Sequence, residues 1–443
     1  MAHDIAFGAV SGVPLTAKES AWRDSPARPE ERSVPFWGLM MFTFVLFVAP
    51  QNFLPGLAVL MPAKLAMAVA MVAYLLSGRH FPVTPTVQWG IAFIACAVVS
   101  IPLGFWPGGS LDVFFDQLGK SLVVFLLIAS VVDTPRRLKV LVGSMMAWGT
   151  FAAVYAVIQY RTGELDPTGQ RIAGFNSPLA TNPNDLALTL NILLGLALGL
   201  LPAVQRGRNR TLLLGATAIL VAGIVATFSR GGFVTLGVVG IMWAAQAART
   251  RGIRALGALL LVAVVFGVAA PAQYVDRLTT IFDSEADATG SSSERWELME
   301  TALSYIAERP LFGFGLGNSR HVMVVRGGPD REAHNAYLKV GAEMGVAAMI
   351  VYTAFVLSAF AAARAARRRL ARYPAGFEVA HMARGVQLSV AAYAVGALFS
   401  PVPYHFYFYY PAGLAVALAV MTARIEAMSG YEPAAQPAPE SEA

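Results

Sequence analysis

The residues of this sequence that could carry chemistry are two arginines and a histidine beside long apolar stretches. Arg230 lies between two such stretches, with Ser229 before it and Gly231 and Gly232 after it. A charge at a membrane boundary is costly unless it is paired or used. The pattern therefore indicates either an anion site or an arginine that reaches the lipid headgroups. The glycines would let a ligand or a neighbouring helix approach the backbone closely.

Arg295 is predicted to lie in the first turn of a helix. Ser291 and Glu294 have the spacing of a capping box, and a cation beside free helix N–H groups suits a phosphate-bearing anion. The alternative is a solvated arginine paired with Glu294 or Glu297. The apolar positions that predict the amphipathic helix are Trp296, Met299, Leu303 and Ile306.

His334 precedes another apolar stretch, where an imidazole of ordinary pKa could act as a general base. It could equally be a polar cap, with Asn335 as the N-cap of the following helix. No second histidine stands at metal-ligand spacing, and the acidic residues at 283, 285 and 287 lack the pattern of a calcium loop. We therefore predict no metal site and interpret the acidic residues as a solvated loop.

The elements that must position these residues are membrane spans. Apolar residues make up 56% of the chain, charged residues 14%, and the mean hydropathy is +0.57, which excludes an ordinary soluble domain. Apolar runs of about 20 residues match the thickness of a bilayer. We predict an all-α integral membrane protein with about 12 transmembrane helices. The predicted spans are 36–50, 57–76, 87–105, 114–132, 138–160, 185–203, 211–228, 231–248, 254–273, 336–363, 382–400 and 411–427.

The spans divide the chain into five regions. We predict a disordered cytoplasmic tail at 1–33, nine spans within 34–273, one large periplasmic loop with short amphipathic helices at 274–335, three spans within 336–428, and a second disordered cytoplasmic tail at 429–443. Cys96, the single cysteine, lies in an apolar run and excludes an intramolecular disulfide.

Arginine and lysine fall in alternate short loops, as expected on the cytoplasmic side. The net charge of +6 is therefore interpreted as a topology signal, and no nucleic acid is expected. This orientation sends the loop 161–184, the turn around Arg230 and the segment 274–335 outward. The aromatic run 404–410 also faces out and is interpreted as an interfacial belt. The cations that follow the alternation are Arg79, Arg136, Arg137, Lys139, Arg206, Arg208, Arg210, Arg249, Arg251, Arg254 and the run 364–372.

Several motifs, taken together, resemble the O-antigen ligase and O-antigen polymerase superfamily. They are TFSRGG at 227–232, SERW at 293–296, RPLFGFGLGN at 309–318 and HNAYL at 334–338, followed by Glu343 and Gly345. RIAGF at 171–175 and NPNDLA at 182–187 are similar to a further segment of many members. The resemblance covers roughly residues 165 to 360. Members usually carry a glycine where this chain has Ala348.

The resemblance implies a metal-independent, inverting glycosyl transfer at the periplasmic face of the bacterial inner membrane, with no cofactor. The donor would be a glycan on undecaprenyl diphosphate and the acceptor a hydroxyl of lipid A-core or another saccharide. Arg230 and Arg295 match arginines that engage the diphosphate, and His334 matches the histidine proposed to activate the acceptor. The remaining expected substrate contacts are Arg171, Asn182, Asn184 and Asn335.

Other functions stay open. Ligation, polymerisation of repeat units and transfer to protein use similar residues within this superfamily. A secondary transporter or flippase would also fit about twelve spans, but it predicts ionisable residues at interrupted helices and an internal repeat, and the sequence shows neither clearly. For the enzyme, we expect apolar spans to guide the lipid chain and the segment 274–335 to enclose the diphosphate.

Overall fold

The computed structural model describes residues 33–165, 171–174, 177–204, 207–251 and 291–428, which are helical apart from turns and an isolated bridge between Leu165 and Ile172. One-turn helices lie at Pro50–Asn52, Pro55–Ala58 and Pro374–Gly376. The longer helices are α1 (Val34–Val48), α2 (Pro62–Leu76), α3 (Pro85–Leu103), α4 (Pro107–Val131, including a π-helical turn), α5 (Pro135–Thr162), α6 (Pro183–Leu200), α7 (Arg208–Ala226), α8 (Arg230–Arg251), α9 (Ser291–Glu308), α10 (Ser319–Val325), α11 (Ala336–Leu370), α12 (Phe377–Gly396) and α13 (Phe406–Met428).

Many of these helices begin where the sequence supplies a proline at the first helical position, which costs no backbone hydrogen bond there. Pro85, Pro135 and Pro183 are examples. Asn182 caps α6 with its side-chain oxygen, which accepts from the backbone N–H groups of Asn184 at 2.9 Å and Asp185 at 3.0 Å. Such caps satisfy N–H groups that the first helical turn leaves unpaired.

Nine helices within the described ranges are long and apolar enough to cross a membrane, which supports a multi-pass membrane protein. Each coincides with a predicted span; α2 is counted together with the apolar residues that precede it, as the 21-residue stretch Gly56–Leu76. Of the other three predictions, 36–50 corresponds to α1, which has only 15 residues, and 382–400 corresponds to α12, which carries the polar residues Arg384 and Gln387. The predicted span 254–273 and both predicted tails, apart from Ser33, lie outside the described residues.

The centre of the bundle is formed by α6 packed against α12. A Cβ atom added to Gly195 would lie 2.6 Å from the backbone nitrogen of Ser389, so the two helices approach as closely as their backbones allow. The Ser389 hydroxyl donates to the carbonyl of Ile192 across this contact at 2.6 Å. Small residues at such contacts are the usual means of packing helices within membranes. This pair fixes the first turn of α6 relative to the last turn of α12.

The interpretation of the aromatic run 404–410 as an interfacial belt is wrong. Tyr404, Phe408 and Tyr409 are at most 1% exposed, and they pack against α3 and α11. Phe408 contacts Phe355 edge to face at a centroid distance of 4.8 Å. Aromatic pairs of this geometry stabilise a core beyond the area that they bury. The run begins α13 inside the protein.

Helix α11 is broken at Gly345, where φ is 86°. The segment 310–318 completes the broken backbone: Phe314 and Gly315 donate their N–H groups to the carbonyls of Ala342 and Glu343, and Val346 donates to the carbonyl of Pro310. An unpaired backbone group is expensive inside a membrane. The motif RPLFGFGLGN therefore replaces the hydrogen bonds that the break removes. Its alternate glycines adopt positive φ: Gly313, Gly315 and Gly317.

The same segment positions α9. Tyr305 of α9 packs against Phe314 at a centroid distance of 5.0 Å, and Glu308 forms an ion pair with Arg326 at 2.8 Å. The buried face of α9 consists of Leu298, Ala302 and Tyr305. The predicted helix is thus present. Of its predicted apolar positions, Ile306 is partly buried and packs against Tyr305 and Phe314, whereas Trp296 is 63% exposed and Leu303 53% exposed.

Candidate functional site

The turn between α7 and α8 carries the first candidate residue, Arg230. Phe228, just before it, has a φ of 52°, a left-handed conformation that is strained for a bulky side chain. Ser229 then caps α8: its hydroxyl accepts from the N–H of Gly232 at 3.2 Å. Arg230 itself is half-buried at the first position of the helix. The turn is therefore a fixed structure.

Gly231 and Gly232 serve helix packing. A Cβ atom on Gly231 would lie 2.6 Å from the Cβ of Phe399, and one on Gly232 would lie 2.6 Å from the Cβ of Ala187. The side-chain amide of Asn191 donates to the carbonyl of Gly232 at 3.0 Å. The sequence left open whether these glycines admit a ligand or a neighbouring helix. The described contacts show neighbouring protein segments packed against both glycines. The first turn of α8 is thereby held against α6 and the segment after α12.

Asn184 joins this turn to the first turn of α6. Its side-chain oxygen accepts from the Ser229 hydroxyl at 2.9 Å and from Nη2 of Arg171 at 2.9 Å. Arg171 also donates to the carbonyl of Thr227 at 3.2 Å through the same nitrogen. Two of the predicted substrate contacts, Arg171 and Asn184, therefore hold each other and the turn before Arg230.

Arg295 reaches the same place from α9. It lines a small pocket together with Asn184, Ser229, Gly231 and Phe399. The pocket thus lies beside the first turns of α6 and α8, whose N–H groups carry partial positive charge. A guanidinium at this position adds a full positive charge, and Arg171 contributes a second beside Asn184. The arrangement is suited to an anion such as a phosphate group.

His334 is tied to the pocket through the backbone. The N–H of Ala336, two residues later, donates to the carbonyl of Ala397 at 2.8 Å, and the segment that follows contributes Phe399 to the pocket. Asn335 caps α11 by accepting from the N–H groups of Tyr337 at 2.9 Å and Leu338 at 3.1 Å. The capping role predicted for Asn335 is confirmed. The first turn of α11 therefore begins beside the pocket wall, and His334 immediately precedes its cap.

Lys339, Glu332 and His405 form a charged and polar cluster that the sequence did not predict. Lys339, on the first turns of α11, forms an ion pair with Glu332 at 2.5 Å and is 8% exposed. Desolvation lowers the pKa of His405 to about 4, an effect that the charge of Lys339 reinforces and that of Glu332 opposes. His405 is therefore neutral at pH 7. The sequence could not predict this cluster, because Glu332 and His405 are 73 positions apart in the chain.

Glu343, quoted from the sequence only as part of a motif, is fully buried. Its carboxylate accepts from the N–H of Gly317 at 2.8 Å, the hydroxyl of Ser319 at 2.7 Å and the phenol of Tyr404 at 2.5 Å. An ionisable residue does therefore lie at an interrupted helix, which sequence reasoning had not found. Two of its donors are Gly317, in the segment 310–318, and Ser319, the first residue of α10; the third is Tyr404, two residues before α13. The Glu343 carboxylate therefore joins α11 to the segment 310–318, to α10 and to the residues before α13.

Asn182 makes its hydrogen bonds within the first turn of α6. The Asn182 amide donates to the Asp185 carboxylate at 2.7 Å while its oxygen caps α6, so both ends of the side chain make contacts within the protein. Among the described residues, no three histidine, cysteine, aspartate or glutamate side chains are grouped to hold a metal ion. The acidic positions 283, 285 and 287 and the side chains of the predicted capping box at 291–294 lie outside what the structure describes.

Residues 215–353 match the family model described as O-antigen ligase. The match contains the motifs at 227–232, 293–296, 309–318 and 334–338, so it confirms the resemblance to the O-antigen ligase and polymerase superfamily. It does not extend to Arg171 or to the first turn of α6, which the structure nevertheless joins to the turn before Arg230. No curated protein matches the chain.

Proposed function

We propose that this chain, whose residues 215–353 match the O-antigen ligase family, transfers a glycan from undecaprenyl diphosphate to an acceptor hydroxyl at the periplasmic face of the inner membrane. The proposed acceptor is lipid A-core or another saccharide. The observation that carries the proposal is the pocket in which Arg295 meets Asn184, Ser229 and Gly231 at two helix N-termini. A lipid diphosphate is the anionic group of this donor, and the pocket carries the complementary charge.

The proposed reaction is a single displacement. The acceptor oxygen forms a bond to the anomeric carbon while the bond from that carbon to the diphosphate oxygen breaks, and the leaving diphosphate takes the electron pair. Attack from the opposite side inverts the anomeric configuration. The donor is already activated, so the reaction needs no nucleotide. The acceptor proton must be removed as the new bond forms.

Arg230 and Arg295 are proposed to stabilise the leaving diphosphate. Negative charge builds up on its bridging oxygen in the transition state, where prearranged cations and N–H groups act most strongly. Arg171 is proposed to add positive charge without touching the diphosphate, since its guanidinium is held by Asn184 and Thr227. Asn182 and Asn335 would act on the substrate through the helix turns that their side chains cap.

His334 is proposed as the general base that takes the acceptor proton. It immediately precedes the cap of α11, whose first turn is hydrogen-bonded to Ala397 beside the pocket wall. A histidine is suited to this role because its ordinary pKa lies near neutral pH. Replacement by alanine removes the base and leaves the cap intact.

Transfer by the purified full-length chain tests these roles. With an undecaprenyl-diphosphate-linked glycan and a lipid A-core acceptor, Arg230→Ala, Arg295→Ala and His334→Ala should each lower the turnover number, the arginine variants by about 100-fold to 1,000-fold. Arg161→Ala, which changes an exposed arginine at the end of α5, is the matched control and should retain transfer. A folded His334→Ala protein with full activity would contradict the proposed base.

A polymerase of the same superfamily is the second candidate, because the matched family supports either activity. A polymerase would extend another lipid-linked unit and leave lipid A-core unmodified. In a deletion strain, loss of all O-antigen with an intact core indicates a ligase, whereas a band carrying one repeat indicates a polymerase. Offering both acceptors to the purified chain gives the same distinction directly.

A further inference from the structure

A second cavity, of about 490 Å³, lies between α5 and α7. These helices reach the candidate site with their last turns, where Tyr160 packs on Phe228 at a centroid distance of 5.4 Å. The cavity lies toward their other ends, beside Leu200 at the end of α6. It is therefore in the half of the bundle opposite the candidate site. Its volume falls within the usual range of small-molecule sites.

The cavity has a polar end and an apolar end. Lys139 and Asn209, near the beginnings of α5 and α7, line one end, whereas Met146 and Ile219 lie deeper. The lining of α5 continues to Thr150, which at 1.5 Å per residue gives a depth of about 16 Å. That depth is about half the hydrocarbon thickness of a bilayer. The shape fits a lipid chain that enters from one leaflet.

The surface around this cavity has the exposed apolar residues expected where a membrane helix faces lipid. Leu212 lines the cavity and is 59% exposed, which for an apolar residue of a membrane helix indicates contact with lipid. Gly143 and Gly215 line the facing walls, and a Cβ atom added to either would meet no atom within 4 Å. The two glycines thus leave the cavity open where ordinary side chains would fill it.

Positive charge surrounds the polar end. Arg136 is one turn before Lys139 on α5, and Arg208 is one turn before Leu212 on α7, so each lies on a face that borders the cavity. Arg210 donates to the carbonyls of Leu201 and Val204 at the end of α6. Lys139 is paired with Glu378. The described charges around this end therefore leave an excess of cations, which favours a phosphate group.

We propose that this cavity binds an anionic phospholipid from the leaflet opposite the candidate site. One acyl chain occupies the space between Gly143 and Gly215, and the phosphate lies near Arg136, Lys139 and Arg208. The argument is independent of the proposed transfer reaction, because none of these residues lines the candidate site. The site is specific for a lipid with a negative headgroup and an acyl chain that spans one leaflet.

Variants that fill the cavity test the chain-binding part. Gly143→Phe and Gly215→Phe place a ring in the open space, whereas Gly237→Phe adds the same ring at an exposed position of α8 that also has no neighbour within 4 Å. Native mass spectrometry of the full-length protein, titrated with phosphatidylglycerol in detergent, should show tenfold or weaker binding for the first two. Gly237→Phe should bind as the wild type does. If a glycine variant does not fold, Ala147→Leu and Ala216→Leu, which enlarge two other residues of the cavity wall, are used in its place.

Variants that remove positive charge test whether the cavity recognises an anionic headgroup. Arg136→Gln with Arg208→Gln should reduce the wild-type preference for phosphatidylglycerol over phosphatidylcholine at least threefold at low salt. Equal binding of the two lipids by the wild type would overturn the proposal, as would unchanged phosphatidylglycerol binding by the folded cavity-filling variants. Undecaprenyl phosphate that binds in preference to phosphatidylglycerol, and requires both glycines, would assign the cavity to the polyprenyl chain and overturn the proposal too.

Discussion

The hydroxyl of Ser229 donates to the side-chain oxygen of Asn184 at 2.9 Å, and this contact joins the first turns of α8 and α6. The same Asn184 oxygen accepts from Arg171, while the Ser229 hydroxyl accepts from Gly232. Two helix N-termini and a guanidinium are therefore held together by a pair of uncharged side chains. A diphosphate bound here would meet a site whose charges are already in position, which is the condition for strong electrostatic stabilisation.

Removing this link should lower activity more than stability. Asn184→Ala leaves the Ser229 hydroxyl and Arg171 without their shared acceptor, a change worth about 1–3 kcal/mol for a buried group. We expect at least a tenfold lower kcat/KM for transfer, with the protein still folded. Asn184→Asp keeps the acceptor but adds a negative charge beside the anion pocket, so its KM for the donor should rise. A KM for Asn184→Asp equal to that of the wild type would contradict an anion site.

Close packing at Gly231 leads to a stability prediction. The Cβ of Gly231→Ala would lie 2.6 Å from the Cβ of Phe399, an atom fixed to the backbone, so α8 or the segment after α12 must shift. Overpacking of this kind costs about 1–3 kcal/mol. Thermal unfolding in detergent should show a lower Tm than for the wild type. Gly237→Ala, on the same helix with no atom near its added Cβ, is the control and should have a Tm equal to or above that of the wild type, since alanine favours a helix more than glycine does.

The sequence predicted the parts of this fold that depend on local patterns. Hydropathy located every helix that the structure shows to be long and apolar enough to span a membrane, and the polar pair at 334–335 correctly predicted the cap of α11. The location of the aromatic run 404–410 was predicted wrongly because a tyrosine-rich sequence is compatible both with a membrane interface and with a protein core. Its partners, such as Phe355, come from elsewhere in the chain.

The site itself depends on contacts that local patterns do not carry. Asn184 and Ser229 are 45 positions apart, and Glu343 and Tyr404 are 61 positions apart. The family motifs identified Arg230, Arg295 and His334 as residues of interest. They did not reveal that Asn184 links the helices or that the glycine-rich motif completes the backbone of α11. Those relations follow only from helix packing in three dimensions.

The Glu343 carboxylate should be required for docking of the segment 310–318. Glu343→Gln replaces one acceptor oxygen by an NH₂ group, which must then face a hydroxyl or the N–H of Gly317. Leaving a buried donor unsatisfied costs about 1–3 kcal/mol. Amide hydrogen exchange at 310–318 should therefore become faster. Tyr404→Phe removes one donor and leaves the other two in place, so its effect should be smaller.

A larger effect of Tyr404→Phe than of Glu343→Gln would show that the phenol, rather than the carboxylate, holds the segment. Exchange in α7 provides the internal control, since the three hydrogen bonds to Glu343 come from Gly317, Ser319 and Tyr404, which lie outside that helix. Faster exchange throughout both regions would indicate general loss of structure and would contradict a local docking role.

Stability should depend on the protonation of His405. Desolvation lowers its pKa to about 4, below an unfolded value of about 6.5, so the unfolded chain binds the proton more readily. The contribution of the neutral ring is therefore complete above about pH 6.5 and is lost as the pH falls toward 4. The Tm of the wild type should decrease over this window. His405→Gln, which cannot titrate, should show a smaller decrease, whereas His80→Gln, which changes an exposed histidine, should follow the wild type. An equally steep decrease in His405→Gln would assign the pH dependence to other groups.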